Sequence, residues 1–205
     1  MKFPFLASSI IFVLVIIHAV RRNNRIRDRQ NRDFWEREAA ADNVRKKPLD
    51  NLPYVHIALD ELPCGTLAED ETVRDCLETL QALSTRKIAC FAGITNTDLK
   101  LTYGTANITA LTEYDQNFTL LVTTLQKWAN ALYESGRTAE ARRVLEYAVS
   151  IQSDNGKSYY LLASIYKNAG EEFRIAELIT AATGLSSPSG STIARVLRES
   201  YPHIG

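Results

Sequence analysis

Motifs that mark catalytic or cofactor sites are absent from this sequence of 205 residues. It contains no GxGxxG, GxxxxGK[ST], HExxH or GxSxG pattern. Its three cysteines form no CxxC or CxxH pair, which argues against both a zinc site and the disulfide framework of a small secreted domain. Its three histidines lie far apart in the chain. We therefore expect no cofactor, no metal and no enzymatic activity.

A net charge is also absent, because 24 basic residues balance 24 acidic ones. The charges are unevenly distributed, however. Residues 21–47 contain ten basic and five acidic residues, whereas residues 48–205 contain 13 basic and 19 acidic residues. Nucleic-acid-binding domains usually carry a net positive charge. An acidic body behind a basic segment therefore favours a protein that does not bind nucleic acid.

The first twenty residues contain a long apolar run. Phe3–Val20 has no formally charged side chain, and as a helix it would be about 27 Å long, close to the thickness of a hydrocarbon core. This predicts a transmembrane anchor over residues 1–20, with a cleaved signal peptide as the alternative. Basic residues follow at once, and such residues usually stay in the cytoplasm: Arg21, Arg22, Arg25 and Arg27.

The predicted location is therefore the cell membrane, with a single span and most of the chain in the cytoplasm. The basic juxtamembrane segment, residues 21–47, either sets this topology alone or also binds anionic lipid head groups. Both explanations need the same arginines and both stay open. A body outside the membrane is a further alternative, which the topology rule disfavours.

The remainder of the chain is predicted to be all-α. Residues 48–66 contain three prolines and predict an extended connector. Apolar residues at helical spacing predict a helix over Leu67–Leu83 and further helices from Thr112 onward, within a helical domain over 67–205. Residues 84–110 show no clear pattern, so the domain has an irregular entry segment.

Two stretches of this domain share a spacing of 34 residues. Gly136 corresponds to Gly170, and each glycine is predicted to end a helix in the left-handed conformation. Large and small residues correspond in the same way, in the pairs Leu125 and Tyr159, Trp128 and Leu162, Ala129 and Ala163, Leu132 and Tyr166, and Ala148 and Ala182. The pattern resembles two tetratricopeptide repeats, at about 116–152 and 153–187, followed by a closing helix at about 189–200. An ordinary helical bundle is the alternative.

This resemblance implies a protein or peptide partner, held in a groove lined by the first helix of each repeat. By register the groove residues would be Gln126, Asn130, Tyr133, Tyr160, Ser164 and Lys167. The lysine and arginine with which some members of the family grip a carboxylate are missing, since residues 126 and 161 are Gln and Leu. The predicted function is a membrane-anchored adaptor for protein–protein interaction. An enzyme without a recognisable motif is a weaker alternative.

Overall fold

The computed structural model describes the backbone of residues 3–204, together with their side chains except those of residues 3–11, 13, 14 and 26. The regular secondary structure of this part of the chain is all helical, with 69% helix and no strand. The predicted all-α fold is therefore confirmed. Residues 1, 2 and 205, of which the first two belong to the predicted anchor, lie outside the described residues.

The predicted transmembrane helix is wrong. Among the described residues, no helix is long and apolar enough to cross a membrane. The first helix, α1, runs without interruption from Phe3 to Asp42 and joins the apolar stretch to the charged one.

Seven further α-helices follow in the described chain. Two short 3₁₀ helices, Leu59–Glu61 and Thr105–Asn107, precede α2 and α4 respectively. The α-helices are α2 (Glu71–Ser84), α3 (Asn96–Tyr103), α4 (Ile108–Glu134), α5 (Thr138–Ser150), α6 (Gly156–Asn168), α7 (Phe173–Thr183) and α8 (Ser189–Ser200).

The chain forms two compact units. The first combines the chain up to Pro48 with Thr95–Ile108, and the second combines Leu49–Ile94 with the chain from Thr109 onward. The first unit contains α1 and α3, and the second contains α2, nearly all of α4, and α5 to α8.

In the first unit, ion pairs join the last turns of α1 to α3. Lys100 Nζ lies 2.9 Å from Glu38 Oε2 and 2.9 Å from Asp42 Oδ1, and Arg37 pairs with Asp98. The hydrogen bonds to Asp42 and Glu38 raise the pKa of Lys100. A hydrogen bond from the Thr97 hydroxyl, followed by the one from Lys100, lowers the pKa of Glu38. No helical spacing of apolar residues predicts α3, because its eight residues carry a single buried apolar side chain, Leu99.

The second unit begins with the predicted extended connector. The Val55 N–H donates to the Ile88 carbonyl oxygen at 2.9 Å, and the Tyr147 hydroxyl donates to the His56 carbonyl oxygen at 3.0 Å. The connector therefore lies as a strap across the loop before α3 and across α5, without forming a sheet.

Helices α4 and α5 form the first helical hairpin. Gly136 lies between them with φ of 76°, in the left-handed region that favours glycine. Its N–H donates to the Tyr133 carbonyl at 3.0 Å, and the Arg137 N–H donates to the Leu132 carbonyl at 2.8 Å. This pair of bonds is the Schellman ending of a helix.

Helices α6 and α7 form a second hairpin with the same corner. Gly170 has φ of 73°, and its N–H donates to the Lys167 carbonyl at 3.0 Å. The Glu171 N–H donates to the Tyr166 carbonyl at 2.9 Å. Each donor and acceptor stands 34 residues after its counterpart in the first hairpin, so the two corners are equivalent in hydrogen bonding as well as in sequence.

The core of the second unit follows the same spacing. Leu125 and Tyr159 are both fully buried, and the alanines at 129 and 163 are buried beside them. Small residues at these two positions let neighbouring helices approach closely. Helix α8 continues the series, because Ile193, at twice the spacing from Leu125, is 2% exposed.

Two helix starts differ from their predictions. Helix α2 begins at Glu71, four residues after the predicted start at Leu67. The sequence Thr112-Glu-Tyr-Asp resembles a capping box and predicts a helix from Thr112, but α4 already begins at Ile108. The buried side chain of Leu111 lies one residue before that position and extends the apolar face of the helix. The residues that resemble a capping box therefore lie inside the helix and do not begin it.

Candidate functional site

An open depression on the second unit lies between the start of α2 and the second half of α4. Two of the predicted groove residues, Gln126 and Asn130, contribute to it. The other lining residues are Asp70, Thr72, Lys127, Ala131, Glu134 and Ser135. The depression is therefore polar, with charged groups of both signs.

The α2 side of the depression is fixed by a helix cap. The Asp70 carboxylate accepts a hydrogen bond from the Val73 N–H at 3.0 Å, which satisfies one of the free donors at the helix start. The helix then buries Val73, Cys76 and Leu80 on one face. As a result Asp70 and Thr72 are held at the rim of the depression by a rigid turn.

The α4 side is fixed by the core. Leu125, Trp128 and Ala129 are each fully buried, so the helix cannot rotate without breaking their packing. Gln126 and Asn130 lie one turn apart on the adjoining face and are half-buried. Their amide groups can each donate and accept hydrogen bonds, as the groups of a peptide backbone require.

The other four predicted groove residues lie outside this depression. Tyr133, Tyr160 and Ser164 are half-buried on α4 and α6. Lys167 is exposed, and its Nζ lies 5.7 Å from the centre of the Tyr201 ring, where a cation–π contact is favourable. The prediction that all six residues share one groove stays a prediction.

A polar network that the sequence did not indicate joins the two hairpins. The Arg142 guanidinium donates to both carboxylate oxygens of Glu171, at 2.7 and 2.9 Å, and to Glu146 at 2.9 Å. The Tyr166 hydroxyl and Arg174 also donate to Glu146, at 2.8 and 3.1 Å. The Tyr166 ring lies 5.0 Å from the guanidinium carbon of Arg142 and 4.8 Å from that of Arg174.

This network perturbs its own titrating groups. The hydrogen bonds from Arg142 hold the pKa of Glu171 below its usual value, and the same bonds raise the pKa of Arg142. Burial, followed by the hydrogen bond to Glu146, raises the pKa of Tyr166. All of these groups serve as a connection between α5, α6 and α7, and none of them faces the depression.

No group of three or more His, Cys, Asp or Glu residues among the described residues could hold a metal ion. Burial raises the pKa of all three thiols, Cys64, Cys76 and Cys90, which lowers the fraction of reactive thiolate.

The arginines predicted to set topology, Arg21, Arg22, Arg25 and Arg27, are all exposed on α1. Arg21, Arg22 and Arg25 lie on one face of the helix with Arg29. There they line an open depression, whose other lining residues are His18, Gln30 and Asp33. Arg27 lies outside this depression. The structure thus contains two candidate surfaces, a polar depression on the second unit and an arginine-rich face on α1.

Comparison with known proteins adds no assignment. No protein-family model matches the chain, and no curated protein or solved structure matches it significantly.

Proposed function

We propose that the second unit is an adaptor domain that binds a short polar segment of a partner protein in the depression between α2 and α4. The observation that carries this proposal is the position of Gln126 and Asn130. Two half-buried amides stand one helical turn apart in an open, polar depression. Such a pair can bind the N–H and carbonyl groups of an extended peptide.

The charges around the depression suggest the composition of the partner segment. Asp70 and Glu134 contribute two carboxylates and Lys127 one ammonium group, which leaves a net charge of −1. The Glu134 side chain is exposed and can reach a ligand. A segment with one basic side chain beside polar residues therefore complements the site better than an acidic segment.

The rigidity of α4 also supports binding. Because Leu125, Trp128 and Ala129 are fully buried, the helix that presents the amides is already ordered before a ligand arrives. Ordering free side chains and loops on binding weakens affinity, and a preformed surface avoids most of that cost. The likeness of the two hairpins to tetratricopeptide repeats, a family of peptide-binding proteins, points in the same direction.

The test is a selection of peptides from a random displayed library on the full chain, followed by affinity measurements on the enriched peptides. We expect enriched peptides to carry a basic residue. Replacing both amides, Gln126→Ala with Asn130→Ala, should weaken their binding at least tenfold, which is about 1.4 kcal/mol.

A matched control removes the same two side-chain types elsewhere. Asn51 and Gln81 are exposed residues of the second unit that do not line the depression. The variant Asn51→Ala with Gln81→Ala should bind the selected peptides like the unaltered protein. If the two double variants bind equally well, the depression is not the binding site.

A further inference from the structure

The arginines of α1 form a continuous face in the first unit. Arg21, Arg22, Arg25 and Arg29 are spaced by one, three and four residues, which places them on one side of a helix. All four side chains are exposed. At 1.5 Å per residue, this face extends about 12 Å along the helix axis.

We propose that this arginine face binds the phosphate groups of anionic lipids at a membrane surface. Residues 21–33 contain six arginines and two acids, Asp28 and Asp33, of which Asp33 lies beside the arginine face, so this stretch keeps a net charge of +4. Guanidinium groups bind phosphate oxygens with two parallel hydrogen bonds, and they lose less hydration than an ammonium group does. A row of arginines can therefore contact several lipid head groups at once.

Exposed apolar side chains on the same helix favour a lipid surface over a nucleic acid. Before the arginines, Val15 and Val20 are 60% and 50% exposed, and after them Phe34 and Trp35 are 53% and 68% exposed. The Phe34 and Trp35 rings pack edge to face, with centres 5.3 Å apart. Aromatic rings are enriched at membrane interfaces, where an apolar layer lies directly beneath the phosphates.

A nucleic-acid duplex offers no such apolar layer. Its grooves would leave most of this apolar surface in water, although single-stranded bases could stack on exposed rings such as Trp35. Lipid phosphates are therefore the better complement to α1, and single-stranded RNA is the main competitor to include in the test.

The experiment measures binding of the full chain to phosphatidylcholine vesicles with and without phosphatidylserine. We expect tighter binding to the anionic vesicles, and a preference that falls as salt rises. Each arginine near an anionic surface contributes about a fivefold change in binding. A variant without the four charges should therefore bind anionic vesicles, relative to neutral vesicles, more weakly by about two orders of magnitude or more. It carries Arg21→Gln, Arg22→Gln, Arg25→Gln and Arg29→Gln.

A second variant carries the same loss of charge on the other unit. Arg74, Arg86, Arg137 and Lys157 are exposed there, and all four are changed to Gln. If only net charge mattered, both variants would lose the same amount of binding. We expect the control variant to keep its preference for anionic vesicles within about threefold, because the arginine face is intact.

Tryptophan fluorescence provides an independent readout of the surface that meets the lipid. The chain has two tryptophans; Trp35 is 68% exposed, whereas Trp128 is fully buried. Contact of α1 with anionic vesicles should shift the emission to shorter wavelength. In a Trp35→Phe variant only Trp128 remains, and the shift should disappear.

Three results would overturn the proposal. The first is equal binding of the unaltered chain to neutral and anionic vesicles. The second is an equal loss of binding in the two charge variants. The third is tighter binding to single-stranded RNA than to anionic vesicles at equal phosphate concentration, which would assign the arginine face to nucleic acid instead. These results are separate from the peptide measurements, so each proposal can fail without the other.

Discussion

Replacing the two corner glycines tests the equivalence of the helical hairpins. Gly136 and Gly170 have φ of 76° and 73°, and a Cβ added at either position would meet no atom within 4 Å. Alanine should therefore cause no collision, and its whole cost should come from the backbone. The same substitution at the two corners should have the same effect.

The magnitude follows from two opposing terms. Placing alanine in the left-handed region costs roughly 1–2 kcal/mol. Alanine also lowers the conformational entropy of the unfolded chain, and this offsets roughly 0.4–1 kcal/mol of that cost. Gly136→Ala and Gly170→Ala should each lower the free energy of unfolding by about 1 kcal/mol, or reduce Tm by about 2–4 °C. The two changes in one chain should add, because the glycines lie in separate hairpins.

Gly184 provides the control. Its φ is −78°, and an added Cβ would make ordinary contacts, the closest at 3.5 Å. Gly184→Ala should therefore be neutral or slightly stabilising. The measurement is urea unfolding of each full-length variant, followed by circular dichroism. A marked difference between the two corner variants, or an equal loss in the control, would refute the equivalence of the corners.

Three further predictions concern the rest of the second unit. Arg142 lowers the pKa of Glu171 in the folded state, so the pair stabilises the fold at pH values above the usual glutamate pKa of about 4.3. This stabilisation is lost as the pH falls further and Glu171 becomes protonated. In Glu171→Gln, the free energy of unfolding should therefore fall less steeply with decreasing pH in this acidic range. In Gly190→Ala the new Cβ would lie 2.4 Å from the Ala182 carbonyl oxygen. Thermal unfolding should therefore show that the free energy of unfolding falls by about 1–3 kcal/mol. Cys76 is 1% exposed with a raised pKa, so a thiol reagent should modify it only after denaturant is added.

The helices of the second unit are largely predictable because their signals are local. Apolar residues at helical spacing mark the face of α4 that carries Leu125 and Trp128. A glycine after the last apolar position predicts the left-handed ending seen at Gly136. Both signals need only the residues of one helix and its end.

The contacts between elements are less predictable because their partners lie far apart in the chain. Arg142 meets Glu171 across 29 residues, and the sequence contains many other acids that it could have met. Lys100 likewise meets Glu38 across 62 residues. The α2 side of the depression was also missed, since Asp70 reads simply as the acidic start of a helix.

The predicted transmembrane helix shows the limit of a hydropathy argument. It counted the apolar residues of positions 3–20 as one segment. Among the residues that the structure describes, no helix is long and apolar enough to cross a membrane. Hydropathy alone therefore gave an element that the described chain does not contain.

The most direct test of the proposed binding site follows the side-chain amide signals of Gln126 and Asn130 by NMR during titration with a selected peptide. Both signals should shift and saturate at the dissociation constant measured for that peptide, while those of Asn51 and Gln81 stay unchanged. Saturable binding that leaves the Gln126 and Asn130 signals in place would contradict the account.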